Sequence, residues 1–256
     1  MPKTGSNPWL LRLQQVQARV DAAARTAGRD PASVRLLAVS KTFPAEAVVA
    51  LAACGQVDFG ENYVQEGIGK VAALRPTHPQ LCWHFIGPLQ SNKTRDVAAN
   101  FDWVHAVDRL HVAQRLSVQR PSERDGRPLV PLQICLQVNI SGEASKSGVG
   151  LVDAYTLASA VAALPNLRLR GLMCIPAPAT GLGAQRAPFA RLRTLFDELN
   201  SQGLGLDTLS MGMSADIEAA VLEGATIVRV GTALFGRRPP LRGTASDAPA
   251  GANGQG

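Results

Sequence analysis

Short apolar segments alternate with longer amphipathic segments along most of this chain. The apolar segments are rich in Val, Leu and Ile, as buried strands are. They cover residues 34–39, 56–59, 82–86, 103–106, 130–138, 168–173, 207–211 and 226–230. Between them, apolar positions recur at helical spacing near residues 44–53, 62–74, 92–99, 108–119, 151–163, 186–202 and 214–223. This order predicts an α/β fold in which each of eight strands is followed by a crossover helix.

A further helix precedes the first strand. Asn7 is suited to cap it and Pro8 to occupy its first turn. One apolar face follows at Trp9, Leu13, Val16 and Val20. Eight strand–helix units after an extra N-terminal helix predict a single (β/α)8 TIM-like barrel, and a doubly wound open sheet is the alternative.

Composition refines the domain prediction. The chain has 256 residues, close to the length of about 250 that is typical of such a barrel. Residues 239–256 are rich in Pro, Gly, Ala and Ser, which predicts a disordered tail after a barrel domain of residues 1–238.

Charge and hydropathy exclude several classes of protein. The net charge of +6 is mild, and the arginines are scattered among acids, as in residues 120–127. No basic stripe with aromatic residues is present, so we expect no nucleic-acid partner. The chain also lacks an apolar run long enough to span a membrane and an apolar signal segment, which predicts a cytoplasmic protein without membrane contact.

The cysteines and histidines do not follow metal-binding patterns. Cys54, Cys82, Cys135 and Cys174 form no C-x-x-C pair, and the four histidines show no H-E-x-x-H spacing. We therefore predict reduced core thiols and no metal site.

Lys41 is the first residue with distinctive chemistry. It follows the first predicted strand in Ser40-Lys41-Thr42, where a barrel places its active site. Partial desolvation there favours the neutral amine that attacks an aldehyde. From position alone, an ordinary solvent-facing lysine at the start of a loop is the better interpretation.

Two loops near the end of the barrel predict an anion site. Barrels often bind phosphate with the loops after strands seven and eight. Here these loops contain Ser210-Met-Gly-Met-Ser214, with Ser214 as candidate helix cap, and Gly231-Thr232. Gly212 and Gly231 allow backbone N–H groups to approach an anion. A lysine opposite a phosphate site indicates a phosphorylated aldehyde as ligand.

Seven ordered motifs carry a resemblance to a known family. They are Ala38-Val-Ser-Lys41-Thr, Gly60-Glu-Asn-Tyr-Val-Gln-Glu66, Trp83-His-Phe-Ile-Gly-Pro-Leu-Gln-Ser-Asn-Lys93, Lys146-Ser-Gly148, Gly171-Leu-Met173, Ser210-Met-Gly-Met-Ser214 and Arg229-Val-Gly-Thr232. From about residue 10 to residue 240 the chain resembles the pyridoxal phosphate homeostasis (YggS/PROSC) family. That family is similar in fold to the N-terminal barrel of alanine racemase.

The resemblance implies a cofactor and a site. Pyridoxal 5′-phosphate (PLP) is expected as a Schiff base on Lys41, with Arg229 against the pyridine nitrogen and with Asn62 and His84 near the ring. The phosphate is expected among Ser210, Ser214, Gly231 and Thr232, with Met211 beside them. Family members bind, buffer or deliver PLP without established turnover and are mostly monomers or weak dimers. The resemblance thus implies a PLP carrier, with apo PLP-dependent enzymes as candidate recipients.

Two enzymatic alternatives stay open. A PLP-dependent amino-acid racemase would use a similar arginine, but it needs a second base, which alanine racemase takes from a tyrosine of another domain. This chain has only Tyr63 and Tyr155 and ends in a low-complexity segment. A lysine-dependent aldolase without PLP would instead need an acid or base beside Lys41, for which Glu61 and His84 are candidates.

Overall fold

Eight parallel strands close into a barrel in this computed structural model, which describes residues 7–143 and 147–236. Strands β1 to β8 are Arg35–Val39, Asp58–Glu61, Cys82–Phe85, Trp103–Val107, Leu132–Gln137, Leu167–Met173, Thr208–Ser210 and Ile227–Val230. Each strand pairs with the next, and β1 pairs with β8 in the register Ala38↔Val230. The closed ring confirms the predicted (β/α)8 barrel and excludes the open sheet.

Helices follow the strands in the predicted order. Helices α1 to α9 are Pro8–Thr26, Ala45–Ala52, Val64–Leu74, Thr94–Asn100, Leu110–Gln119, Leu151–Ala162, Leu182–Ser201, Ile217–Leu222 and Thr232–Phe235. Short 3-10 turns lie at Pro31–Ser33 and Ser91–Lys93, and an antiparallel hairpin joins Glu123–Arg124 to Arg127–Pro128. Within the described residues, no helix combines the length and apolarity needed to cross a membrane.

The N-terminal helix begins as predicted. The Asn7 side chain accepts a hydrogen bond from the Trp9 N–H at 3.0 Å, and Pro8 occupies the first turn. Val16 and Val20 are buried, and α1 packs against α8. The extra helix therefore covers the barrel beside its last strands.

Two apolar layers lie on opposite sides of the strands. Leu36 and Ala38 belong to the large layer between strands and helices, whereas Leu37 and Val39 belong to a smaller cluster. Because side chains of a strand alternate between its two faces, the smaller cluster fills the barrel interior. Its other buried members are Ile86, Trp103, Ala106, Cys135, Met173 and Ile227.

Several boundaries differ from the sequence prediction. The prediction that Ser214 caps α8 is wrong, because the helix begins at Ile217 and Asp216 precedes it. The carboxylate of Asp216 accepts the Met213 N–H at 2.6 Å and so closes the turn before the helix. Helix α7 begins at Leu182, four residues before the prediction, and α9 and the hairpin were not predicted. The predicted tail, residues 239–256, lies outside the described residues.

Gly171 marks a close approach between two barrel strands. It lies in β6 beside a register shift in β5, and a Cβ atom there would lie 1.7 Å from the Thr208 carbonyl oxygen. We expect Gly171→Ala to lower the free energy of unfolding by about 1–3 kcal/mol, because the strands must move apart. Urea denaturation measures this. Gly69→Ala is the matched control: this site in α3 has nothing within 4 Å, and a gain of about 0.5–1 kcal/mol is expected.

Candidate functional site at the carboxyl end of the barrel

Lys41 lies at the carboxyl end of β1, as predicted. It is half-buried, one residue beyond Ser40, whose N–H donates to the Gly60 carbonyl oxygen at 3.0 Å. On the other side of β1, the Cα of Gly231 comes so close that an added Cβ would lie 3.3 Å from the Val39 oxygen. The chain after β1 is therefore held between the ends of β2 and β8.

A buried ionic cluster fixes the residues on both sides of Lys41. The Lys70 ammonium donates to the Ser40 carbonyl oxygen, to Glu61 and to Glu66, each at 2.7 Å. Glu66 also accepts the N–H of Thr42 at 2.6 Å, where the backbone adopts a left-handed φ of 68°. Lys70 thus bridges the backbone before Lys41 to the carboxylate that binds the backbone after it.

Glu61 belongs to this cluster and is fully buried. One of its oxygens accepts hydrogen bonds from Lys70 and from the Ser40 hydroxyl at 2.5 Å. Burial raises the pKa of Glu61, while the charge and hydrogen bond of Lys70 oppose that rise. Glu61, one of the two side chains that the aldolase alternative would use as acid or base, is therefore part of an ion pair.

Three buried oxygen atoms near Lys41 have no hydrogen-bond partner within the described structure. They are Thr42 Oγ1, Glu61 Oε2 and Asn62 Oδ1. Asn62 follows β2, and its backbone approaches Gly87 so closely that a Cβ on Gly87 would lie 2.1 Å from the Asn62 oxygen. Because buried polar atoms are normally paired, these atoms indicate a polar ligand at this end of the barrel.

The two predicted anion loops lie at the ends of neighbouring strands. Gly212, after β7, has a φ of 92°, and an added Cβ would lie 2.5 Å from the Ala220 Cβ. After β8, Gly231 leads into Thr232, the exposed first residue of α9. Ser214 is half-buried, and Met211 packs in the layer between strands and helices. The strand order places both loops on the β8 side of Lys41.

Arg229 lies inside the barrel and is only 4% exposed. Its guanidinium donates to the Ser210 carbonyl oxygen at 2.5 Å, to the Ser210 hydroxyl at 2.8 Å and to the Cys174 carbonyl oxygen at 2.8 Å. Burial lowers the pKa of Arg229 from its usual value. The Ser210 hydroxyl therefore helps to hold this arginine.

His84 is fully buried within β3, where it contacts a histidine that the sequence did not single out. Its Nδ1 lies 2.9 Å from Nε2 of His105, and its Nε2 lies 3.0 Å from Asp58. His84 therefore has polar partners of its own, and its predicted place near a cofactor ring stays a prediction. His105 lies two residues after Trp103 in an apolar strand, and its polar partners come from strands that are distant in sequence, so the sequence alone does not reveal them.

One group of side chains bears on the predicted absence of metal. Asp58, Cys82 and His84 bring one potential ligand atom each within 4.8 Å of the others. These atoms already hydrogen-bond to one another, and the Arg35 guanidinium lies 3.4 Å from Asp58. Burial raises the pKa of the Cys82 thiol above its usual value, which disfavours the thiolate that binds metal. The absence of a metal remains a prediction.

Comparisons with known proteins identify the class of this barrel. The family model described as "Alanine racemase, N-terminal domain" matches residues 11–239. The alanine racemase of Corynebacterium glutamicum shares the fold at a TM-score of 0.62 and 18% identity, covering 90% of this chain and 63% of that one.

Two relatives define the family more narrowly. A pyridoxal phosphate homeostasis protein of Pseudomonas aeruginosa is 62% identical over 226 residues, which are 88% of this chain and 94% of the relative. The structure of PipY of Synechococcus elongatus, solved with PLP bound, is similar to this one at a TM-score of 0.72 and a sequence identity of 40%. The match covers 85% of this chain and 100% of the PipY chain. The chain belongs to the pyridoxal phosphate homeostasis protein family.

Proposed function

We propose that this protein binds PLP at the carboxyl end of its barrel, as a Schiff base on Lys41, and takes part in PLP homeostasis. The observation that carries the proposal is the position of Lys41, next to the two anion loops of a barrel whose relatives are named for this role. PLP is a phosphorylated aldehyde, which is the ligand class that this combination predicts.

The residues present fit PLP. The loops at Gly212–Ser214 and Gly231–Thr232 offer close backbone approach and hydroxyl donors for a phosphate. The unpaired Asn62 oxygen and the other unpaired atoms near Lys41 leave hydrogen-bonding capacity for the polar ring substituents. Arg229 is the cation expected against the pyridine nitrogen.

Arg229 would also tune the chemistry of bound PLP. When bound, PLP supplies an electron sink that depends on a protonated pyridine nitrogen. A fixed guanidinium opposes that protonation. The three acceptors that bind the Arg229 guanidinium hold the charge in place, so bound PLP would be a poorer electron sink. Because a racemase would use a similar arginine, the choice between carrier and racemase depends on the second base.

The racemase alternative needs a second base at the mouth of the barrel. Tyr155 lies on α6 and donates to Glu198 of α7, so it is engaged between two outer helices. Tyr63 follows β2 and is 56% exposed. Because Tyr155 is engaged elsewhere and the Tyr63 side chain is exposed to water, neither tyrosine is held in the desolvated position that a second base needs, so the carrier function is the better supported of the two.

An absorption titration tests PLP binding. Purified protein with added PLP is expected to develop a band near about 420 nm, which reports a protonated Schiff base to a lysine. Borohydride reduction should abolish the band and leave one pyridoxyl phosphate group on the peptide that contains Lys41. A protein that shows no band at any PLP concentration contradicts the proposal.

A second measurement separates carrier from racemase. The PLP-loaded protein is incubated with L-alanine in deuterium oxide, and exchange of the α-proton is followed by NMR. A carrier is expected to give no exchange above that of free PLP. Rapid exchange would replace the carrier assignment with the racemase alternative.

Three further expectations accompany the proposal. Apo forms of PLP-dependent enzymes are the proposed recipients, the protein is proposed to be a monomer or weak dimer, and its cytoplasmic location stays a prediction. Transfer of PLP to a purified apoenzyme, faster than from free PLP at the same total concentration, would support the first.

A further inference from the structure

A chain of buried hydrogen bonds crosses the barrel interior from Arg229 to Asp58. Arg229 donates to the Ser210 hydroxyl at 2.8 Å, and this hydroxyl lies 2.8 Å from His105 Nδ1. His105 Nε2 lies 2.9 Å from His84 Nδ1, and His84 Nε2 lies 3.0 Å from the Asp58 carboxylate. Arg229, Ser210, His105 and His84 are buried, whereas the Asp58 side chain is 16% exposed at the start of β2.

One proton arrangement satisfies every group along this chain. The Ser210 hydroxyl accepts from Arg229, so its single hydrogen is available for His105 Nδ1. His105 then carries its proton on Nε2 and donates to His84 Nδ1. His84 in turn donates from Nε2 to Asp58. Both imidazoles are neutral, and every donor points from Arg229 toward Asp58.

The reverse arrangement leaves a donor unpaired. If His84 donated to His105, the His105 Nδ1–H would donate to Ser210, whose hydroxyl would then accept two hydrogen bonds. Its own hydrogen would have no acceptor in the relay, and an unpaired buried donor is costly. Burial lowers the pKa of His105 well below its usual value, and the charges of Arg229 and Arg35 act in the same direction, which agrees with a neutral His105 ring.

We propose that Asp58 is the remote counter-ion of Arg229, and that His84, His105 and Ser210 form the relay that connects the two charges. No ion pair of Arg229 occurs among the described residues, although a buried charge needs compensation. Hydrogen bonds arranged head to tail polarise one another, so the carboxylate strengthens each link toward the guanidinium. The relay residues are positioning residues for Arg229.

Other charged and titratable groups surround the relay. Arg35 of β1 lies 3.4 Å from Asp58, and Cys82 of β3 lies 3.3 Å from His84 Nε2. Trp103 stacks on His84, and the Arg170 guanidinium lies 4.9 Å from the centre of the Trp103 ring. Asp216 acts electrostatically on Arg229, whereas burial raises the pKa of the nearby Cys135 and Cys174 thiols to about 12, so these carry no charge near neutral pH. Asp58 is the acid that is connected to Arg229 by the hydrogen-bonded relay.

The first test uses the protein without PLP. Nitrogen-15 NMR of the imidazole rings is expected to show neutral Nε2–H tautomers at both His84 and His105. Asp58→Leu removes the terminal acceptor and is expected to shift the ring nitrogen signals of His105, two hydrogen bonds away. Asp58→Asn retains an acceptor for His84 but lacks the charge, so it is expected to keep the Nε2–H tautomers and to shift the His105 signals less than Asp58→Leu does. It provides a folded variant with a measurable shift if Asp58→Leu is unstable.

Asp207→Asn is the matched control. Asp207 directly precedes β7, near the strand end at which Asp58 begins β2, and it pairs with Arg170 at 2.6 Å without contacting the relay. It should leave the His105 signals unchanged. The proposal would be overturned by a protonated His84 or by an Nδ1–H tautomer at either histidine. It would also be overturned if the His105 signals were the same in Asp58→Leu as in wild type.

The second test links the relay to the cofactor and rests on the proposed function. Loss of a negative charge makes a cation at the ring less favourable, so Asp58→Leu is expected to lower the pH midpoint of the PLP band by about half a unit. Asp207→Asn should shift that midpoint by less. An unchanged midpoint would overturn the counter-ion assignment. If even the wild-type protein gave no PLP band, the proposed function would fail and the imidazole signals alone would decide on the relay.

Discussion

Lys41→Ala is expected to abolish covalent PLP binding completely. The amine is the only group of this residue that can form the Schiff base, and no neighbouring lysine among residues 7–143 and 147–236 is placed to replace it. Lys70 is the nearest one along the buried cluster, but its ammonium is held by three oxygen acceptors at 2.7 Å. The band near about 420 nm should be absent at all PLP concentrations, and borohydride should attach no pyridoxyl phosphate.

Two control variants show whether the loss of the band comes from the missing Schiff base. One tests the effect of the positive charge at position 41, and the other tests the effect of removing a different lysine. Lys41→Arg keeps the positive charge but cannot form a Schiff base, so it should bind PLP only reversibly, without the band. Lys93→Ala removes another half-buried lysine, in the segment between β3 and α4, and should keep both the band and its reduction product. A band that persists in Lys41→Ala would assign the Schiff base to a different lysine.

Local patterns in the sequence were sufficient to predict the barrel. The spacing of apolar residues and the alternation of strand and helix segments predicted all eight strands to within a few residues. This works because each strand of a parallel barrel is buried on both faces and therefore forms a continuous apolar run in the sequence. Lys41 and the loops at Gly212 and Gly231 could be located for the same reason, since they directly follow predicted strands. The position of a residue relative to the end of its strand depends only on nearby sequence, so it can be predicted without knowing the tertiary contacts.

The polar networks could not be predicted in this way. Lys70 contacts Ser40, thirty positions away, only because α3 packs beside the end of β2. His105 and Ser210 meet across the barrel interior at a separation of 105 residues. Ser214 was assigned as a helix cap because of its residue type, but Asp216 binds the Met213 N–H and the helix begins later. Contacts between distant strands depend on how the barrel closes and on the register of its strands, and residue type alone predicts neither.

Lys70→Met is expected to cause the largest loss of stability. Lys70 is 6% exposed and Glu61 is fully buried, so removal of the ammonium leaves a buried carboxylate without its counter-ion. Breaking one side of such a pair costs about 3–5 kcal/mol, which urea denaturation at about pH 7.5 would measure. The double variant Lys70→Met/Glu61→Gln removes both charges and should recover most of that loss. If the double variant is as unstable as the single one, lost packing rather than the buried charge is responsible.

The loss in Lys70→Met should depend on pH with a defined sign. Burial already raises the pKa of Glu61, and without Lys70 that rise is unopposed by its main counter-charge. An acid with a raised pKa in the folded state binds its proton more tightly when folded, so stability falls as pH rises from the unfolded value of about 4.3 to the folded pKa. The deficit should therefore be smaller at about pH 5 than at about pH 7.5. Because Lys70 and Glu66 also bind the backbone on either side of Lys41, the folded fraction of this variant should form the PLP band more slowly than wild type. An unchanged rate would show that the cluster stabilises the barrel without positioning Lys41.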